Sequence, residues 1–206
     1  MSQFFTIHPD NPQPRLIKQA VKIIQEGGVI VYPTDSAYAV GCQLENKNAL
    51  DRIRQLRQLD TSHHFTLICR DLSEIATYAI VDNISFRLLR ASTPGPYTFI
   101  LKATKEVPRR LLQPKRKTIG LRIPDNKITH ALLMELDQPL MSVTLTLPDQ
   151  AYPFVDAQDI YALLGKQVDL VIDGGVCGAV GTTIVDLVES VPQIVRIGKG
   201  DPGVFM

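Results

Sequence analysis

Thr34, Asp35 and Tyr38 stand where an apolar run gives way to polarity, in the stretch GGVIVYPTDSAYAVG that spans residues 27–41. Val29, Ile30, Val31, Tyr32 and Pro33 predict a short buried strand opening on a polar mouth. In open α/β sheets ligands collect at the carboxyl ends of strands, where polar side chains can converge. The same residues have a plainer reading, in which Pro33 stops the strand and Asp35 makes an Asx turn. A second candidate is Asp173-Gly-Gly175 with Gly178, Gly181 and Thr182-Thr183. A glycine-rich turn leaving a buried strand can aim successive N–H groups at an anion, with two hydroxyls beside them, or can be only a flexible loop. Arg196, between Val195 and Ile197, is either a phosphate fork or an outward-pointing residue, and alternation favours the outward direction.

Charge supplies a third candidate. The net charge is only +1, but from Lys102 to Arg122 eight basic residues face one acid, Glu106, whereas from Leu147 onward eight acids face three bases. Such separation suggests a positive face turned toward an anion, with nucleic acid the leading partner. A solvated surface loop is the alternative. The basic residues of most interest are Arg109, Arg110, Lys115, Arg116 and Lys117.

Other chemistries are disfavoured. Gly198-Lys-Gly200-Asp-Pro-Gly203 spells G-x-G-x-x-G, but Pro202 bars the helix whose N-terminus would hold a pyrophosphate. No phosphate-binding P-loop or G-x-S-x-G elbow occurs. His8, His63, His64 and His130 lack metal-ligand spacing, so no metal site is expected. Cys42, Cys69 and Cys177 are odd in number and scattered, which argues for packing as small apolar residues. With 45% apolar and 21% charged residues, no membrane-length apolar run and no signal-like start, the 206 residues predict one cytoplasmic domain, 1–206. Aromatic content of 6% with no Trp argues against single-strand binding by stacked bases.

The elements that must position these residues follow from periodicity and punctuation. Strands are expected over Phe4–Ile7, Val29–Tyr32, Phe65–Cys69, Tyr97–Lys102, Thr118–Ile123, Leu140–Thr146, Val168–Ile172, Thr183–Val188 and Gln193–Ile197. Helices are expected from Pro14 to a stop at Gly27, over Lys47–Leu59, from a capping box at Asp71-Leu-Ser-Glu74, and over Ile84–Arg90, Lys127–Leu136 and Asp156–Leu164. Loose alternation with neighbouring strands near the end predicts a mixed sheet with helices packed on it.

Five blocks, in order, resemble the YrdC family of threonylcarbamoyl-AMP synthases and their relatives, and within it the YciO branch. They are GGVIVYPTDSAYAVG, IRQLRQLDTSHHFTL, TPGPYTFIL, TIGLRIPDN, and the run from VDLVIDGG through GTTIVDL to VRIG. The first is similar to the family's PTDT-x-YGLG signature, departing at Ser36, Ala39 and Val40. The resemblance implies an α/β single-domain YrdC-like fold, a twisted mixed sheet with flanking helices and a positively charged concave surface. It also implies ligand positions at Thr34, His64, Thr118, Arg122, Thr182 and Arg196. The family's K-x-R motif falls on Arg57-Gln58-Leu59 and its S-x-N motif on Thr144-Leu145-Thr146, so all four defining positions are altered. Losing a guanidinium at Leu59 would cost roughly a hundredfold or more in rate, which predicts weak or absent synthase activity.

The sequence therefore predicts a protein that binds a nucleotide, or double-stranded or structured RNA such as tRNA or rRNA, by phosphate contacts and without DNA sequence readout. Thr34, Arg57, His64, Thr118, Arg122, Thr144, Thr182 and Arg196 would hold nucleotide or substrate. The five basic residues of the loop would hold RNA. The resemblance implies as alternative a working synthase, an ATP-dependent step in tRNA modification using L-threonine and bicarbonate, with ATP and Mg as substrate.

Overall fold

The computed structural model describes residues 2–60, 63 and 65–206. His64 lies outside them. The first helix, α1 (Pro14–Gln25), begins at a proline whose missing N–H costs nothing there, and buries Ile17, Ala20, Val21 and Ile24 at helical spacing. Gly27, at φ 88°, takes the left-handed conformation that ends it. The chain then supplies α2 (Lys47–Arg57), α3 (Leu72–Tyr78), α4 (Asn83–Ser92), α5 (Lys127–Leu136) and α6 (Ala157–Leu164). Side chains of Asn46, Asp71, Asp82, Asn126 and Asp156 cap the last five in turn.

The strands are β1 (Gln3–Thr6), β2 (Ile30–Tyr32), β3 (Ala39–Gln43), β4 (Thr66–Ile68), β5 (Tyr97–Lys102), β6 (Thr118–Arg122), β7 (Leu140–Thr144), β8 (Leu170–Asp173), β9 (Thr183–Asp186) and β10 (Gln193–Arg196). They form one sheet in the order β1-β8-β2-β3-β7-β4-β6-β5-β9-β10. Parallel pairs (β1/β8, β2/β8, β4/β6, β5/β9) mix with antiparallel ones, as the sequence predicts. One strand is new. β3 pairs antiparallel with β2, Val31 opposite Val40, so the polar stretch after Tyr32 is the connection of a hairpin and leads to a strand before any helix.

Strand alternation gives the sheet two unlike faces. On one, Val31, Val40, Met141, Leu67, Leu121, Phe99 and Val185 form a continuous core with residues of α2, α3, α4 and α6. On the other, α1 and α5 cover Ile30, Tyr32, Ala39, Leu170 and Ile172 near the β1 edge. Beyond them that face carries Thr66, Thr98, Thr118, Gly120, Arg122 and Thr182, and among the described residues no helix contributes to a core there.

Cys42 and Cys69 are fully buried in the larger core. Burial pushes the Cys42 thiol up to about 12 and raises that of Cys69 as well. The folded chain therefore keeps a proton on Cys42 that the unfolded chain loses near the ordinary value of 9.0. Its contribution to stability is full below that value and is lost as pH rises from 9.0 toward about 12. Chemical denaturation across that window should show falling stability, and Cys42→Ala should make the fall shallower.

Candidate functional site

Arg122, at the end of β6, is the hub of the first cluster. Its guanidinium forms a buried ion pair with Asp35 and donates from Nη2 to Ser36 Oγ at 3.0 Å and Thr34 Oγ1 at 3.3 Å. Asp35 Oδ2 also accepts from the Asp125 backbone N–H at 3.0 Å. Thr34 closes its own turn, donating to the Ala37 carbonyl at 2.6 Å and accepting from the N–H groups of Ser36 and Ala37. Thr34 and Asp35 thus fix Arg122. Tyr38 is buried, and its hydroxyl donates to the Gly175 carbonyl at 2.6 Å.

That bond explains the glycine-rich turn. Gly175 sits at φ +95° and donates to Asp173 Oδ1, while a side chain at Gly178 would collide with the Ser36 carbonyl. The loop is therefore clamped against residues 33–38. Thr182 at its end bonds Thr98 across the sheet, hydroxyl oxygens 2.8 Å apart.

The second cluster lines a cavity of about 360 Å³ that brings together Arg57, Thr144, Thr146, Gly181 and Arg196. Arg196 does not point away, as alternation suggests. Pairing of β9 with β10 shifts register between Ile194 and Arg196, and such a bulge re-aims side chains. The guanidinium donates to the Thr182 carbonyl from Nε at 3.2 Å and from Nη2 at 2.9 Å. A Cβ at Gly181 would stand only 3.0 Å from Nη2. Arg57 is the last residue of α2, and its Nε is buried with no hydrogen-bond partner among the described residues. Burial lowers both guanidiniums from their usual value, and among the described residues no carboxylate offsets it.

Thr118 lies on the same face as Arg122, four residues away along β6 and hence roughly 13 Å distant. Thr118 Oγ1 and Arg122 Nε are both buried without a hydrogen-bond partner among the described residues. Both atoms lie on the sheet face that no helix of the described residues covers, yet Thr118 and Arg122 are themselves buried. At the Thr118 end stands the basic loop. Arg110 is committed to the carbonyls of Leu44 and Glu45, and Arg116 to Asp186 Oδ2 at 2.6 Å. Arg109, Lys115 and Lys117 are exposed, and their side chains make no hydrogen bond or ion pair among the described residues. Thr98 and Lys199, whose ammonium donates to the Asp35 carbonyl, were not singled out by the sequence. Alternation of Thr98 with Phe99 was the available signal; Lys199 lay inside the rejected glycine motif. Among the described residues no group of three or more His, Cys, Asp or Glu could hold a metal, and no helix is long and apolar enough to cross a membrane.

Three comparisons bear on this arrangement. The family profile for Sua5, YciO and YrdC, described as "Telomere recombination", matches residues 22–198. The chain is 59% identical to the YciO protein of Escherichia coli (strain K12), over the full length of both, and 27% identical over 161 residues to a threonylcarbamoyl-AMP synthase of Vibrio vulnificus, covering 77% of this chain and 86% of that one. The crystal structure of E. coli YciO superposes with a TM-score of 0.97 and full coverage of both chains. P. abyssi Sua5 complexed with L-threonine superposes at 0.88 and 22% identity, covering 96% of this chain and 58% of that one, a likeness of fold. A profile that takes in both clusters, and a relative alike in sequence and fold from end to end, lead to one conclusion: the chain belongs to the Sua5/YciO/YrdC family.

Proposed function

We propose that the chain binds phosphates, those of a nucleotide in the Arg57–Arg196 cavity and those of structured RNA along the basic rim. The observation that carries this reading is a pair of guanidiniums, Arg57 partly buried and Arg196 more exposed, that line one cavity with no carboxylate partner among the described residues. Removing a charge from water without compensation is costly, and a bound phosphate supplies the compensation. Thr144, Thr146 and Thr182 place hydroxyls beside the arginines to orient it. Arg122 and Thr118 belong to the same proposal through the family resemblance, both being buried and outside the cavity wall. His64 belongs to the same proposal through the family resemblance alone.

RNA binding rests on Arg109, Lys115 and Lys117, which are free to neutralise phosphates, more than on Arg110 and Arg116, which are spent inside the fold. Titrating labelled duplex RNA at several salt concentrations checks it. The triple change of Arg109, Lys115 and Lys117 to alanine should weaken binding and flatten the salt slope by roughly one per lost phosphate contact. An unchanged slope removes the loop from the interface.

A second reading, favoured by the positive charge that Arg57 retains where the family motif has lysine, is residual threonylcarbamoyl-AMP synthesis from ATP, L-threonine and bicarbonate. Leu59 supplies no charge to the transferring phosphates, so turnover should be at least about a hundredfold below that of a synthase with arginine there. Pyrophosphate release measured beside such a synthase decides it, with Leu59→Arg expected to raise the rate.

A further inference from the structure

A cavity of about 720 Å³ opens between the start of α3, the end of α4 and the start of α5. It shares no wall residue with the Arg57–Arg196 cavity. Leu72, Pro94, Ile123 and Pro124 give it an apolar floor. Its charged groups do not balance. Of the two carboxylates in the wall, Asp71 is spent capping α3, accepting from the Glu74 N–H at 2.9 Å, and on Arg70 Nε at 3.1 Å. Asp125 then remains against Arg90, whose side chain makes no hydrogen bond or ion pair among the described residues, and Lys127, whose ion pair with Asp10 is between two largely exposed side chains and therefore weak.

We infer that this cavity is a binding site for a small organic anion, its acid group held by Arg90 and Lys127 and its apolar body lying on the Leu72–Pro124 floor. The volume suits such a ligand, small-molecule sites being about 300–1,000 Å³ and mostly apolar with a few placed polar groups. The wall continues into the first cluster. Ile123 and Pro124 follow Arg122 in the chain, and the Asp125 N–H donates to the carboxylate that pairs with Arg122. A ligand seated there presses on the segment that holds Arg122.

The probe is anilinonaphthalene sulfonate, an aromatic body with one fixed negative charge, followed by its fluorescence on the full chain. It should bind with simple saturation and be displaced by naphthoate, a carboxylate of similar body. Arg90→Glu should weaken it about tenfold. Ser73→Trp, at the exposed mouth, should block it. Both sites are exposed, and unchanged melting temperatures would show that the variants fold. Amide NMR should place the shifts at Ser73, Asp125 and Lys127. Absence of binding, equal affinity in both variants, or shifts gathered at the exposed apolar residues Tyr152, Val180 and Ile197 would overturn the assignment. None of these readings depends on whether ATP or RNA binds, so the two proposals fail separately.

Discussion

Replacing Arg122 with leucine should lower the melting temperature by roughly 6–20 °C, the largest loss expected from any single change in the candidate site. The guanidinium and its partner carboxylate expose only 6% and 11% of their side-chain surface. Breaking such a pair from one side leaves the other charge buried and alone, which costs about 3–5 kcal/mol. In a chain of this length each kcal/mol is worth about 2–4 °C. Thr34 and Ser36 lose a donor in the same step. The double variant Arg122→Leu, Asp35→Leu removes both charges and should recover part of the loss, though the Asp125 N–H then lacks its acceptor. Thermal melts of the two variants decide the point. A double variant no more stable than the single one would mean that the ion pair is not what the substitution breaks.

The largest functional effect should come from Arg57 and Arg196. A hydrogen bond to a charged group is worth about 1.5–3 kcal/mol, so Arg57→Ala or Arg196→Ala alone should weaken ATP binding roughly 10- to 150-fold. Because both line one cavity, the double change should bring affinity below what a titration resolves. Stability should move little, since neither is ion-paired among the described residues, although Arg196→Ala also frees the Thr182 carbonyl. Calorimetric titration with ATP checks this. Full affinity in the double variant would place nucleotide elsewhere.

Most elements of the fold were legible because their signals are local. Pro14 and Gly27 bracket the first helix, Asp71 and Glu74 frame the third, and Tyr97–Lys102 and Lys127–Leu136 end where the residue pattern says. β3 was not, because Ala39-Val-Gly-Cys-Gln43 offers one β-branched residue and a glycine in five; its strand state is imposed by pairing with β2 and β7 on either side. Tertiary pairing also explains Arg196, since alternation cannot anticipate a bulge. The site divides in the same way. Residue type and family resemblance pointed to Thr34 and Arg122, but only packing reveals that Asp35 has already taken the guanidinium and that Arg110 and Arg116 are engaged within the fold.

The pairing of β1 with β8 has a consequence for the newborn chain. Gln3 lies opposite Leu170, and β8 is also what joins β1 to β2. At about 5–20 residues per second a ribosome needs roughly 10–30 s to make the partner that β1 waits for, and non-local parallel pairing is slow even then. Throughout that interval Phe4 and Phe5 lack the strand that they lie beside in the folded chain. A chaperone that shields residues 3–6 until β8 has been made should therefore raise the yield of folded chain more than one acting after release.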